Sequence, residues 1–133
     1  MTFLFRFFVW LCIACLLCWP IPIYLDSLLI GNPDIDVWNH AWGYWYVAQA
    51  FEQGSMPLET NLVGAPNGGL LYYIDMMGAT FAFPITYFFG PAVAYNITLL
   101  VRIAVAALGA QYFCKELTRE GIHTWLAGLA YIT

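Results

Sequence analysis

Charge is scarce in this sequence. Of its 133 residues, 4 are Lys or Arg and 8 are Asp or Glu, so charged side chains make up 9%, against about 25% in soluble domains. So few charges cannot coat a water-facing surface, and they predict a chain that buries most of its surface in lipid. A hydrophobic content of 62% and a mean hydropathy of +0.72 point the same way. Aromatics at 19% agree, because Trp and Tyr gather at membrane–water interfaces. The net charge of −4 excludes a nucleic-acid binder, which needs a basic face.

Cysteine is scarce too. None of the 4 cysteines lies between residues 26 and 75, so disulfide chemistry says nothing about the compartment. Cys12, Cys15 and Cys18 recur every third residue and form one helical stripe. No His, Asp or Glu stands near enough to complete a metal site. The stripe is therefore expected to be small, polarisable packing residues. Cys114 stands alone at the end of a later apolar run.

What is present is long apolar runs. Phe3 to Tyr24 is apolar except for Arg6, long enough for the roughly 20 residues that span a bilayer. A retained span fits better than a cleaved signal peptide. The basic head is a single Arg, and Trp19, Pro20 and Pro22 occupy the end where small residues should precede cleavage. Met76 to Phe89 is apolar but short and broken by Pro84, which suits an interfacial helix. Gly90-Pro91 punctuates the chain, and Ala92 to Cys114 is the second expected span. Lys115, Arg119 and Gly121 make a charged turn before a third apolar helix opens at Ile122.

That third helix has about 18 Å of rise at about 1.5 Å per residue, against a hydrocarbon core of about 30 Å. Ending inside lipid would leave its last carbonyls unsatisfied. The expectation is that the chain is the beginning of a longer polypeptide.

Between Asp26 and Asp75 the sequence holds Asp26, Asp34, Asp36, Glu52, Glu59 and Asp75, with no Lys or Arg. Arg6, Lys115 and Arg119 flank the spans on the opposite side. Cations collect in cytoplasmic loops, so the N-terminus and the 115–121 turn are expected inside and the acidic 26–75 loop outside the cytoplasm.

Within that loop, Asp34 to Gln53 reads as a helix between Pro33 and Gly54. At about 3.6 residues per turn, Trp38, Trp42, Trp45 and Gln49 gather on one face and Asp36, His40, Gly43, Val47 and Ala50 on the other. The Trp face suits a juxtamembrane helix anchored at headgroup level. The other face begins with a carboxylate and an imidazole one turn apart, and Gly43 leaves room for a small pocket beside them. Asp34 and Asp36 equally suit the start of a helix as caps and against its dipole. Both roles stay open.

Gly64 to Gly69 is rich in turn residues but lacks the Lys of a phosphate loop. Asn96-Ile97-Thr98 matches a glycosylation acceptor but falls inside a span, where Asn96 is better a polar contact between helices. His123 is expected at an interface. Arg102, near the middle of the second span, costs about 2.5–3.5 kcal/mol to insert. It should find an anionic partner, either a structural carboxylate or a substrate or lipid phosphate.

In the order of these features the chain resembles the N-terminal part of polytopic glycosyltransferases of the GT-C fold. It is similar more closely to bacterial multi-span proteins in which an acidic residue precedes Trp-Asn-His-x-Trp-Gly-Tyr-Trp. There a Pro/Gly turn, an interfacial helix and Gly-Pro-x-x-x-Tyr-Asn follow. Here those pieces are Asp36 to Trp45, Gly64 to Gly69, Asp75 to Phe89 and Gly90 to Asn96.

The resemblance implies an all-α, polytopic transmembrane fold with interfacial helices in its first outer loop, set in a bacterial inner membrane. It implies transfer of a sugar from a polyprenyl-phosphate donor, with membrane lipid and that lipid-linked sugar as partners. Asp36 would be the base and Asp34 the second carboxylate, while His40, Asn39 and Arg102 would contact substrate. A neighbouring carboxylate and partial desolvation would raise Asp36 toward the pH at which it works. No resident cofactor is implied, and relatives differ over a divalent cation. Two features depart from the pattern: characterised transferases carry their acidic pair nearer the position of His40, and no cation in the outer loop can hold a phosphate. The alternative is a non-catalytic multi-span protein, either a lipid-linked-sugar transporter or an assembly partner.

Overall fold

The computed structural model describes residues 2–34, 36–71 and 75–133, so residues 72–74 of the expected outer loop lie outside the described residues. The chain is mostly helical and divides into two compact units. One combines Met1–Ile23 with Leu99–Thr133, and the other is Tyr24–Thr98.

The first unit begins with α1, Phe3–Leu17, of 15 residues. The expected helix to Tyr24 is not continuous. Pro20 and Pro22 lack the amide donors that the next turn needs, and a residue before proline avoids the helical region. The chain therefore leaves α1 and makes a single 3₁₀ turn at Ile21–Ile23. α1 is about 22 Å long, short of a bilayer core of about 30 Å. α5, Pro91–Leu117, has 27 residues and is the one helix among the described residues that is long and apolar enough to cross a membrane. α6 covers Ile122–Ile132.

The core of this unit is Trp10 set among Ala104, Ala107 and Leu108 of α5. Those small positions recur with helical spacing and leave a furrow wide enough for an indole. Trp10 Nε1–H donates to Gln111 Oε1 at 2.9 Å, and the indole stacks on Trp125 with centroids 5.5 Å apart. The buried stripe of α1 is Arg6, Trp10 and Ala14. The cysteine stripe is not the packing face: Cys12 is exposed and Cys15 and Cys18 are half-buried.

In the second unit, α2 spans Val37–Glu52, α3 Met76–Phe81 and α4 Phe83–Phe89. The expected single helix over Met76 to Phe89 is interrupted at Ala82. Pro84 falls in the first turn of α4, where a missing N–H leaves no bond unmade. α2 buries Gly43, Tyr44, Val47, Ala48 and Ala50 and packs on α3 and α4. Phe51 meets Phe83 edge-on at 5.4 Å.

A short hairpin joins β1, Glu59–Thr60, to β2, Gly69–Leu70, with Glu59 opposite Leu70. The all-α expectation did not include it. Gly64 and Gly68 turn the chain with φ of +68° and +78°. A Cβ on Gly68 would lie 2.7 Å from Asn61 Oδ1, so glycine is what lets the turn fold back on β1.

Candidate functional site

The residues singled out at the head of α2 fall together in the second unit. Asp34 and Asp36 are both exposed. Asp36 holds the N-cap position but makes no side-chain cap bond. Its Oδ1 accepts instead from Asn39 Nδ2 at 3.3 Å. The Asp34 amide donates to Asn32 Oδ1 at 3.0 Å. His40 meets Asp36 only through the backbone, its N–H donating to the Asp36 carbonyl at 3.1 Å. The ring Nδ1 of half-buried His40 is itself buried and has no hydrogen-bond partner among the described residues.

This arrangement offers an exposed carboxylate, steadied by one amide, with a half-buried imidazole one turn later whose Nδ1 is closed to solvent. It can accept a proton from a hydroxyl brought in from solvent. Gly43, Val47 and Ala50, expected to leave room beside it, are buried on α2, which packs on α3 and α4. The carboxylate is solvated rather than desolvated. Arg102 is exposed on α5 and belongs to the other unit.

The space around α2 lies elsewhere. One cavity of about 560 Å³ opens on the Trp face and is lined by Trp38, Trp42 and Trp45 together with Asp26 and Leu29. A second, of about 540 Å³, sits against the hairpin and is lined by Tyr46, Glu59, Asn61 and Asn67. Tyr46 donates its hydroxyl to the Glu59 carbonyl at 2.8 Å.

No protein-family model, curated protein or solved structure matches the chain. No group of three or more His, Cys, Asp or Glu side chains that could hold a metal ion occurs among the described residues.

Two polar clusters have partners that local sequence does not show. Tyr44 donates to Asp75 Oδ2 at 3.1 Å, and Asp75 Oδ1 caps α3 by accepting from the Gly78 amide at 3.0 Å. Asn96, fully buried, accepts from the Ile30 amide at 2.9 Å and donates to the carbonyls of Leu25 at 2.9 Å and Leu28 at 2.6 Å. Its partner is thus an irregular segment rather than another helix. Tyr95 donates to the Ile30 carbonyl at 3.0 Å. The signal in sequence was only Tyr-Asn after Gly-Pro; the 65-residue separation of Tyr95 and Ile30 hides the partner.

Proposed function

We propose that the chain forms the first-loop part of an integral membrane glycosyltransferase of a bacterial inner membrane. In this scheme the N-terminus is cytoplasmic and residues 26–75 lie outside. A sugar leaves a polyprenyl phosphate for an acceptor hydroxyl. Asp36 takes the hydroxyl proton, the acceptor oxygen bonds to the anomeric carbon, and the bond from that carbon to the phosphate oxygen breaks with its electron pair. Asp34 is the second carboxylate. Asn39 and His40 position substrate, and Arg102 meets an anionic headgroup.

The observation that carries this proposal is the exposed Asp36 carboxylate, bonded to Asn39 and followed by the unpartnered His40 Nδ1. A polar cavity at the hairpin, lined by Tyr46, Glu59, Asn61 and Asn67, suits hydroxyl-bearing molecules. Asp36→Asn in the full-length protein, assayed in native membranes, is expected to lower transfer by about 10²-fold or more, the usual contribution of a general base. Transfer at the unaltered rate would remove the catalytic role.

A non-catalytic protein that binds or moves lipid-linked sugar is the second reading. It is favoured by the absence of Asp34, Asp36 and His40 from the walls of either cavity beside α2. In that case Asn at position 34 or 36 would be almost silent.

A further inference from the structure

The Trp face of α2 does more than present indoles to an interface. Trp42 and Trp45 stand with centroids 6.3 Å apart and planes inclined at 46°, so they form two walls of a corner. Trp42 is fixed by stacking on Tyr46 at 5.2 Å and 12°. Trp38, one turn earlier, is 61% exposed and extends the aromatic wall. Asp26 to Leu29 and Gly31 also line the 560 Å³ cavity, in a segment tied down by Asn96 and Tyr95 through the backbone bonds at Leu25, Leu28 and Ile30. The space is within the roughly 300–1,000 Å³ of small-ligand sites.

Charge decides what fits. Asp26 is the one charged side chain on the cavity wall, and its carboxylate makes no hydrogen bond or ion pair among the described residues. No Lys or Arg occurs between residues 26 and 75, so an anion finds no partner and meets repulsion. Apart from Ser27 the remaining wall is apolar, which gives a polyhydroxylated ligand too few partners for its hydroxyls. An organic cation satisfies both features. Indole faces carry negative quadrupole density and attract ammonium groups, and the carboxylate adds direct attraction.

We infer that the cavity bordered by Asp26, Trp42 and Trp45 binds an alkylated ammonium group, with Leu28 and Leu29 against its alkyl part. The group can belong to a soluble compound or to a lipid headgroup. The site is separate from the proposed base, since Asp36 does not line it, and its binding is measured without turnover.

The test is calorimetric titration of the full chain in dodecyl-maltoside micelles with choline, and with its neutral isostere 3,3-dimethylbutanol. Choline is expected to bind, and the isostere about tenfold more weakly or not at all, as loss of a desolvated cation–π contact requires. Asp26→Asn and Trp45→Leu should each weaken choline by a similar factor. Both side chains lie outside the buried core, so an unchanged helical spectrum accompanies these losses. Short-chain phosphatidylcholine that competes with choline, while phosphatidylglycerol does not, identifies a lipid headgroup; absence of that competition identifies a soluble ligand. Equal binding of the isostere, choline binding unaffected by Asp26→Asn, or no choline binding at all overturns the inference. Loss of transfer in Asp36→Asn, or its retention, bears on the transferase alone.

Discussion

At position 6 a cation lies inside the first unit, 1% exposed. Its guanidinium stands 5.5 Å from the Tyr112 ring centroid and 5.8 Å from that of Trp125. It donates to the Glu120 carboxylate, which also faces Lys115 Nζ at 3.4 Å. The bond from Arg6, with Lys115 beside it, holds the Glu120 carboxyl below its usual value of 4.5. A carboxyl that titrates lower in the folded than in the unfolded chain adds stability fully present above the unfolded value. That stability is lost as pH falls through the folded one. Unfolding followed from neutral to acid pH should therefore show a loss of stability below about pH 4.5 that Glu120→Gln flattens.

Nearby, a Cβ added to Gly128 would sit 2.7 Å from Trp10 Cη2 and 2.8 Å from the Ala107 carbonyl. Gly128→Ala should cost about 1–3 kcal/mol by overpacking. Gly109→Ala, where nothing lies within 4 Å, should gain roughly 0.5–1 kcal/mol from helix propensity. Denaturant midpoints of the two variants check both signs.

At the scale of elements, punctuation by Pro and Gly sets the ends. The junction between α4 and α5 is Gly90, with φ 88° and ψ 165°, a region occupied essentially by glycine alone. Pro91 then starts α5 with φ already suited to a helix. Gly90→Ala meets no steric neighbour within 4 Å, so its cost is conformational only, about 1–3 kcal/mol. It should appear as a lowered unfolding midpoint without a change in helix content.

Much of this level was legible in the sequence. The helix over 37–52, the Pro-started α5 and the turn before α6 follow from periodicity and from breakers. The break at Ala82 and the early end of α1 were less so, because Pro84 and Pro20 can either kink a helix or divide it. Neighbours decide which.

For the whole molecule, distribution of charge carries the topology proposed above. Arg6, Lys115 and Glu120 meet at one end of the first unit, whereas residues 26–75 hold acids with no Lys or Arg. In a background without the four native cysteines, Gln53→Cys should react with an impermeant maleimide in intact cells. Glu116→Cys should react only after permeabilisation. Labelling of position 116 alone in intact cells would invert the orientation and remove the outer site.

The lipid-suited composition, the mostly helical build, the acidic character of 26–75 and the two faces of α2 can all be read along the chain. All depend on residue type and local spacing. What those faces do depends on the neighbours that folding brings to them. The Gly43–Val47–Ala50 side went into packing because small residues let α3 and α4 come close, and the Trp side was left to border a cavity with Asp26. The partners of Arg6, Trp10 and Asn96 were likewise beyond local inspection. Each pairs across 66 to 114 positions, and chain folding rather than spacing brings such residues into contact.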